Sequence, residues 1–295
     1  MRLLTVRHVT TYRYAEPVRL GEHWMMFRPR EGHDLRLVSS SLEIFPRPVG
    51  LRWLHDVFDN SLAVATFDAE TTELRFDSQV TLEHYETDAP DYQIEASARL
   101  FPFTYPLEDS ANLQRALEPR HGAPEVTQWA QDFVASLGSA PIETMMLLQS
   151  MTHAIRRRFG YVRRAERGVQ MPAETLRRGD GSCRDFALFM IEAVRSLGLA
   201  ARFVSGYISV PELEPDLLGG GSTHAWLQVY LPGAGWVDFD PTNSIIGNRN
   251  LIRVGVAWDP ADALPLWGTY IGSSRSFLGM DVAVSVTDRS SNQES

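Results

Sequence analysis

The chain has 295 residues, of which 44% are hydrophobic and 22% charged, and a formal net charge of −9. That balance is globular and long enough for two ordinary domains, and no apolar run reaches the roughly 20 residues a membrane-spanning helix needs. The acidic total argues against a nucleic-acid partner, since phosphates are bound by a basic face, and the single cysteine allows no internal disulfide.

The N-terminal run "MRLLTVRHVTTYRYAEP" alternates apolar and polar residues and has no secretory-leader pattern, so a cytoplasmic location with no membrane partner is expected. "LLTVRHVTTYRY", "LRLVSSSLEIFP", "LRWLHDVF", "SLAVATF" and "ELRFDSQVTLEHYE" are short, rich in β-branched and aromatic residues, and separated by Pro, Gly, Asp and Asn. They predict an antiparallel β domain over residues 1–90. "ETDAPDYQ", 86 to 93, is acidic, carries Pro90 and reads as a linker.

The period then changes. "APEVTQWAQDFVASLG" and "PIETMMLLQSMTHAIRRRFG" place apolar residues three and four apart and each ends on glycine, the pattern of amphipathic helices. "ARFVSGYISV", "HAWLQVYLP", "WVDFDPT" and, near the end, "DVAVSVTD" are strand-like. Residues 91–288 are therefore expected to form an α+β domain, helices first and an antiparallel sheet after, with 289–295, "RSSNQES", a disordered tail.

Cys183 sits in "GDGSCRDFALFM". Phe186, Ala187, Phe189, Met190, Ala193, Val194 and Leu197 follow it at helical spacing and stop at Gly198, so the cysteine opens a helix. Ser182 fits the N-cap, and Asp185, three residues on, fits the acidic half of a capping box. Free backbone N–H groups and the positive end of the helix dipole favour a thiolate there and can hold an oxyanion. A cysteine nucleophile also needs a histidine and an acceptor to orient it. "GGGSTHAWLQVYLPGAGWVDFDPTN" reads as a β-hairpin turning at "PGAG". Alternation puts His224, Trp226, Gln228 and Tyr230 on one face. Folding about 233 and 234 brings Asp240 within a few residues of His224, a gap a bulge would close. Asp238 is a competing acceptor. The other seven histidines lack this context, and cysteine, histidine and aspartate separated by 41 and 16 residues do not have zinc-site spacing, so no metal or cofactor is expected.

"GSCRDFALFMIEAVRSLGLAARFVSGY" and "THAWLQVYLPGAGWVDFDPTN", spanning 181 to 243, resemble the transglutaminase-like superfamily. The resemblance implies a papain-like catalytic domain with Cys183 as nucleophile, His224 as general base and acid, and Asp240 orienting the imidazole. His8, Thr10, Tyr12, Tyr14, Pro17 and Val18, with Arg28, Pro29 and Arg30, are similar to the β domain that precedes the catalytic domain in bacterial members. After "DPTN" those members carry "GRDY.DV.P", where this chain reads "VAWDPADALPLWGTYIG".

The expected activity is attack of Cys183 on an amide carbonyl of a peptide or protein substrate, giving a thioester. The backbone N–H of Cys183 and, as a candidate second donor, Tyr161 would hold the oxyanion. Resolution by water makes the protein an amide or peptide hydrolase; resolution by an amine makes it a transglutaminase. A third reading, a non-catalytic binding module, gives no reason to keep Cys183, His224 and Asp240 together. All 28 basic side chains are arginine, so the chain offers no lysine for crosslinking to itself. The loop "PELEPDLLGGGST", 211 to 223, borders His224 and is expected to gate the cleft.

Overall fold

A computed structural model describes residues 1–85, 92–138, 141–164 and 168–290. The expected linker at 86–93 therefore lies outside the described residues except for its last two positions, as does the tail from 291 onward. Five strands come first: β1 (Arg2–Met25), β2 (Leu35–Phe45), β3 (Gly50–His55), β4 (Ser61–Thr66) and β5 (Glu70–His84). They pair antiparallel in the order β2-β5-β1-β4-β3. β1 is longer than its sequence pattern suggests because its far end, His23 to Met25, carries on into pairing with β4.

Among the described residues five α-helices follow: α1 (Leu107–Leu117), α2 (Pro124–Ser136), α3 (Thr144–Arg158), α4 (Pro172–Arg178) and α5 (Cys183–Ser196). The second sheet holds β6 (Ala201–Ile208), β7 (His224–Leu231), β8 (Gly235–Asp240) and β9 (Leu251–Ala257). The short strand Ile245–Ile246 lies on β8, then come β7, β6 and β9, all antiparallel. Two last strands, β10 (Leu266–Ile271) and β11 (Phe277–Asp288), return to the first sheet and pair with β1. "DVAVSVTD" thus joins the N-terminal sheet and not the second one. Alternation identified it as a strand but carries no information on which sheet edge it meets.

α5 is buried on every side, not on one stripe: 12 of its 14 residues are buried. Phe186, Phe189, Met190 and Val194 pack with Leu147, Met151 and Ile155 of α3 and with Ala225, Leu227 and Val229 of β7. Each such Phe, Met, Val, Leu or Ile side chain contributes about 1.5–3 kcal/mol on burial. Glu192 and Arg195 are also enclosed, and they are tolerated because they pair at 2.9 Å; Glu192 also accepts two backbone N–H groups, from Arg120 and His121. The opposite face of the second sheet rests on the first sheet: Tyr207, Ile252 and Val254 share a core with Leu4, Val6, Met26, Val80 and Leu82. The helix carrying Cys183 is therefore fixed against a sheet that is itself backed by another sheet.

Candidate active site

Cys183 is the first residue of α5. Asp185 holds this helix start: its Oδ2 accepts from Ser182 N and Ser182 Oγ, both at 2.8 Å. Its Oδ1 accepts from Arg164 Nη1 at 2.8 Å and from Gln170 N at 2.6 Å. The expected acidic half of a capping box is present, and it is also a buried ion pair that ties the segment before the helix to its first turn. Two residues before the cysteine, Gly181 pairs with Tyr161 through the parallel two-residue strands Gly160–Tyr161 and Asp180–Gly181. This pairing sets Tyr161 near enough to Cys183 for the cysteine's charge to act on its phenol. Burial, then the Cys183 charge, push its phenol up to about 12, so it is an O–H donor across the ordinary pH range.

His224 begins β7, and its Nε2 lies 2.8 Å from Asp240 Oδ2 at the end of β8. The hairpin pairs Leu227 with Phe239 and Leu231 with Gly235. Continuing that register sets Asp240 diagonal to His224 on the same face, so the contact forms without the expected bulge. Asp238, the competing acceptor, is committed elsewhere: Trp226 Nε1 donates to its Oδ1 at 2.6 Å. The Trp226 ring also stacks on the imidazole, with centroids 6.0 Å apart.

Asp240 accepts three hydrogen bonds. Besides His224, Oδ2 accepts from Asn243 Nδ2 at 2.8 Å, and Oδ1 accepts from Thr242 N at 2.8 Å. Burial by itself would lower the His224 pKa. The Asp240 charge and hydrogen bond, with a further contribution from Cys183, outweigh it and raise the pKa to about 10. With Nε2 committed to Asp240, Nδ1 is the buried nitrogen left for the Cys183 sulfur. Sequence reading named Cys183, His224, Asp240 and Tyr161, and the fold brings all four together.

Two neighbours were missed. Gly219 lies directly over the imidazole: a Cβ at this position would sit 2.4 Å from His224 Nδ1, and its φ of +95° is left-handed. Asn243 joins the loop to Asp240. The signals available were the glycine run at 219–221 and the last residue of "DPTN", neither of which says what it touches. The acidic loop residue Glu214 is paired with Arg249 and Asn250. Arg184 points away to Pro260 O, and Arg178 to Asp180 and Glu174. The trio is nearly sealed: Cys183 is 7% exposed, His224 1% and Asp240 0%. A cavity of about 620 Å³ lies elsewhere, lined by Arg202, Trp236 and Asp238 among others, and none of the trio borders it.

Comparison with known proteins agrees with this architecture. Residues 4–83 match the family described as "Bacterial transglutaminase-like N-terminal region", and residues 127–241 match "Transglutaminase-like superfamily". An uncharacterized protein of Mycobacterium tuberculosis is 29% identical over 292 residues, 95% of this chain and 91% of its own. One of Mycobacterium leprae is 26% identical over 294 residues, 96% of this chain and 98% of its own. In fold, the chain is similar to a candidate cysteine protease from Cytophaga hutchinsonii, at 16% identity and a TM-score of 0.70, covering 98% of this chain and 91% of that one. The chain thus carries a transglutaminase-like superfamily core over residues 127–241, which holds the helix-borne cysteine and the His–Asp hairpin, behind a strand domain that is a bacterial transglutaminase-like N-terminal region over residues 4–83.

Proposed function

We propose that the protein is a cysteine-dependent amide hydrolase acting on peptide or protein substrates. One arrangement carries the reading: Cys183 at the first turn of a buried helix shares its site with an imidazole that Asp240 holds at 2.8 Å and whose pKa it raises. The Cys183 sulfur attacks the amide carbonyl, and the oxyanion is held by the Cys183 N–H and the Tyr161 O–H. As the C–N bond breaks, His224 gives its proton to the leaving amine, leaving an acyl thioester and a neutral imidazole. Water then adds to the thioester while His224 takes a proton from it. The C–S bond breaks, the free acid departs, and the thiolate with its imidazolium is restored.

Water is favoured over an amine as the second nucleophile because the trio is 0–7% exposed. A water molecule reaches such a site with little opening, whereas a protein amine on its long side chain needs a cleft. Amine transfer is the second reading, and a reducing, cytoplasmic setting that keeps Cys183 as a thiol is part of the proposal. The test incubates the protein with glutamine-containing peptides and a labelled primary amine, with Cys183→Ala as the control. Free acid formed only when Cys183 is present supports hydrolysis. Efficient amine incorporation with little free acid makes the protein a transglutaminase, and no turnover of any amide overturns both.

A further inference from the structure

The loop that covers the imidazole and the carboxylate that orients it are held by the same side chain. Asn243 Oδ1 accepts from Leu218 N at 2.7 Å, and Asn243 Nδ2 donates to Leu218 O at 3.1 Å, so the amide clasps one loop residue by both of its backbone groups. The same Nδ2 donates to Asp240 Oδ2 at 2.8 Å, the oxygen that also holds His224. The next loop residue is Gly219, whose backbone lies against His224 Nδ1 so closely that a Cβ there would overlap the ring. Ser244, directly after Asn243, has a left-handed φ of 60°, a conformation that costs a non-glycine residue energy and here ends the turn that carries the amide.

We propose that Asn243 is a positioning residue that couples closure of loop 218–223 to alignment of the His224–Asp240 pair. This rests on Cys183 and His224 acting as the reactive pair. With the loop seated, the amide fixes Asp240, Asp240 fixes the imidazole, and Gly219 seals Nδ1 from solvent. When the loop lifts to admit an acyl substrate, Leu218 leaves the amide and Asp240 loses a fixed donor. Full proton transfer is then restored only on closing. The proposed hydrolysis is thereby confined to the sealed state, where a second bulky nucleophile has no access.

Because the chain has one cysteine, alkylation of the full-length protein reports on Cys183 alone. The experiment measures its rate from pH 5 to 10 with iodoacetamide and with a polyethylene-glycol maleimide. The proteins are wild type, Asn243→Ala, Asn243→Asp and Glu214→Ala. Asn243→Asp keeps the size and the acceptor for Leu218 N but loses both donated bonds, and it is the variant to read if Asn243→Ala does not melt cooperatively. Glu214→Ala removes ties of the segment just ahead of loop 218–223 to Arg249 and Asn250, away from Asp240. The expected result is that the Asn243 variants raise the maleimide-to-iodoacetamide rate ratio by roughly tenfold, the scale of losing a few closing hydrogen bonds. They should also displace the pH profile with iodoacetamide, while Glu214→Ala keeps the wild-type profile. An unchanged ratio, an unchanged profile, or the same displacement in Glu214→Ala overturns the coupling. Failure of the underlying reading looks different: wild-type Cys183 would react no faster than a free thiol at pH 6.5.

Discussion

Asp240 reaches His224 diagonally across the β7–β8 hairpin, with Nε2 and Oδ2 2.8 Å apart. The imidazole is buried, so a neutral side chain in place of the carboxylate leaves burial to dominate and its pKa falls from its raised value. Asp240→Asn should fold and lose amide-cleaving activity by about 10²-fold or more, the scale of mis-setting the histidine in such triads. Alkylation of Cys183 at pH 6.5 should slow with it. A variant that cleaves amides at the wild-type rate would remove Asp240 from the mechanism.

Two buried histidines predict opposite pH dependences of stability. His224 has a folded pKa raised to about 10 from 6.5, so its contribution is present below about pH 6.5 and is lost as pH rises toward 10. His8 hydrogen-bonds Tyr207 and Thr10, and burial lowers its pKa to about 4, so its contribution is present above about pH 6.5 and is lost as pH falls toward 4. Urea unfolding across this range should show stability declining on both sides. His224→Gln should flatten the alkaline limb and His8→Gln the acid limb. A limb that persists in the matching variant identifies another group as its source.

Gly219 and Gly221 offer a matched pair of substitutions. Both have left-handed φ, +95° and +79°, so alanine at either costs about 1–3 kcal/mol in backbone strain. Only at Gly219 does the new Cβ meet His224 Nδ1; at Gly221 its nearest neighbour is Arg163 Nη2 at 3.8 Å. Gly219→Ala should therefore abolish most of the activity while Gly221→Ala lowers the melting temperature and leaves turnover largely intact. Equal turnover in the two variants would show that the loop does not bear on the imidazole.

Tyr161→Phe separates nucleophile from oxyanion donor. If the phenol stabilises the tetrahedral intermediate, its loss should lower amide turnover by roughly 10²-fold, the range for one oxyanion-hole donor. Alkylation by iodoacetamide builds no oxyanion and should proceed within about twofold of wild type. A parallel fall in both rates would assign Tyr161 to the state of the thiol and not to the intermediate.

Much of the site was legible because it depends on short-range periodicity. Helical spacing after Cys183 placed the cysteine at a helix start, Ser182 and Asp185 supplied its capping pattern, and the alternation of His224, Trp226 and Gln228 about "PGAG" defined a hairpin. What the local pattern left open was the choice between Asp238 and Asp240, which share a face of β8. The tertiary structure decided it through the Trp226 indole, which takes Asp238, and through Asn243 and Thr242, which converge on Asp240.

The sequence by itself determined the five strands of the first sheet, α2, α3 and α5, the strands β6 to β8, and a helix-opening cysteine followed by a hairpin carrying His224 and Asp240, because those follow from the 3.6- and 2-residue periods; it did not mark α1, α4, β9 or β10. Only the tertiary structure decided that β10 and β11 close the N-terminal sheet, since strand alternation reveals a buried face but not the partner edge. It also decided what seals the site. Gly219 against His224 and Asn243 between Leu218 and Asp240 are contacts made when a loop folds back over a hairpin end. Their geometry is set by backbone dihedrals and packing that no residue type announces alone.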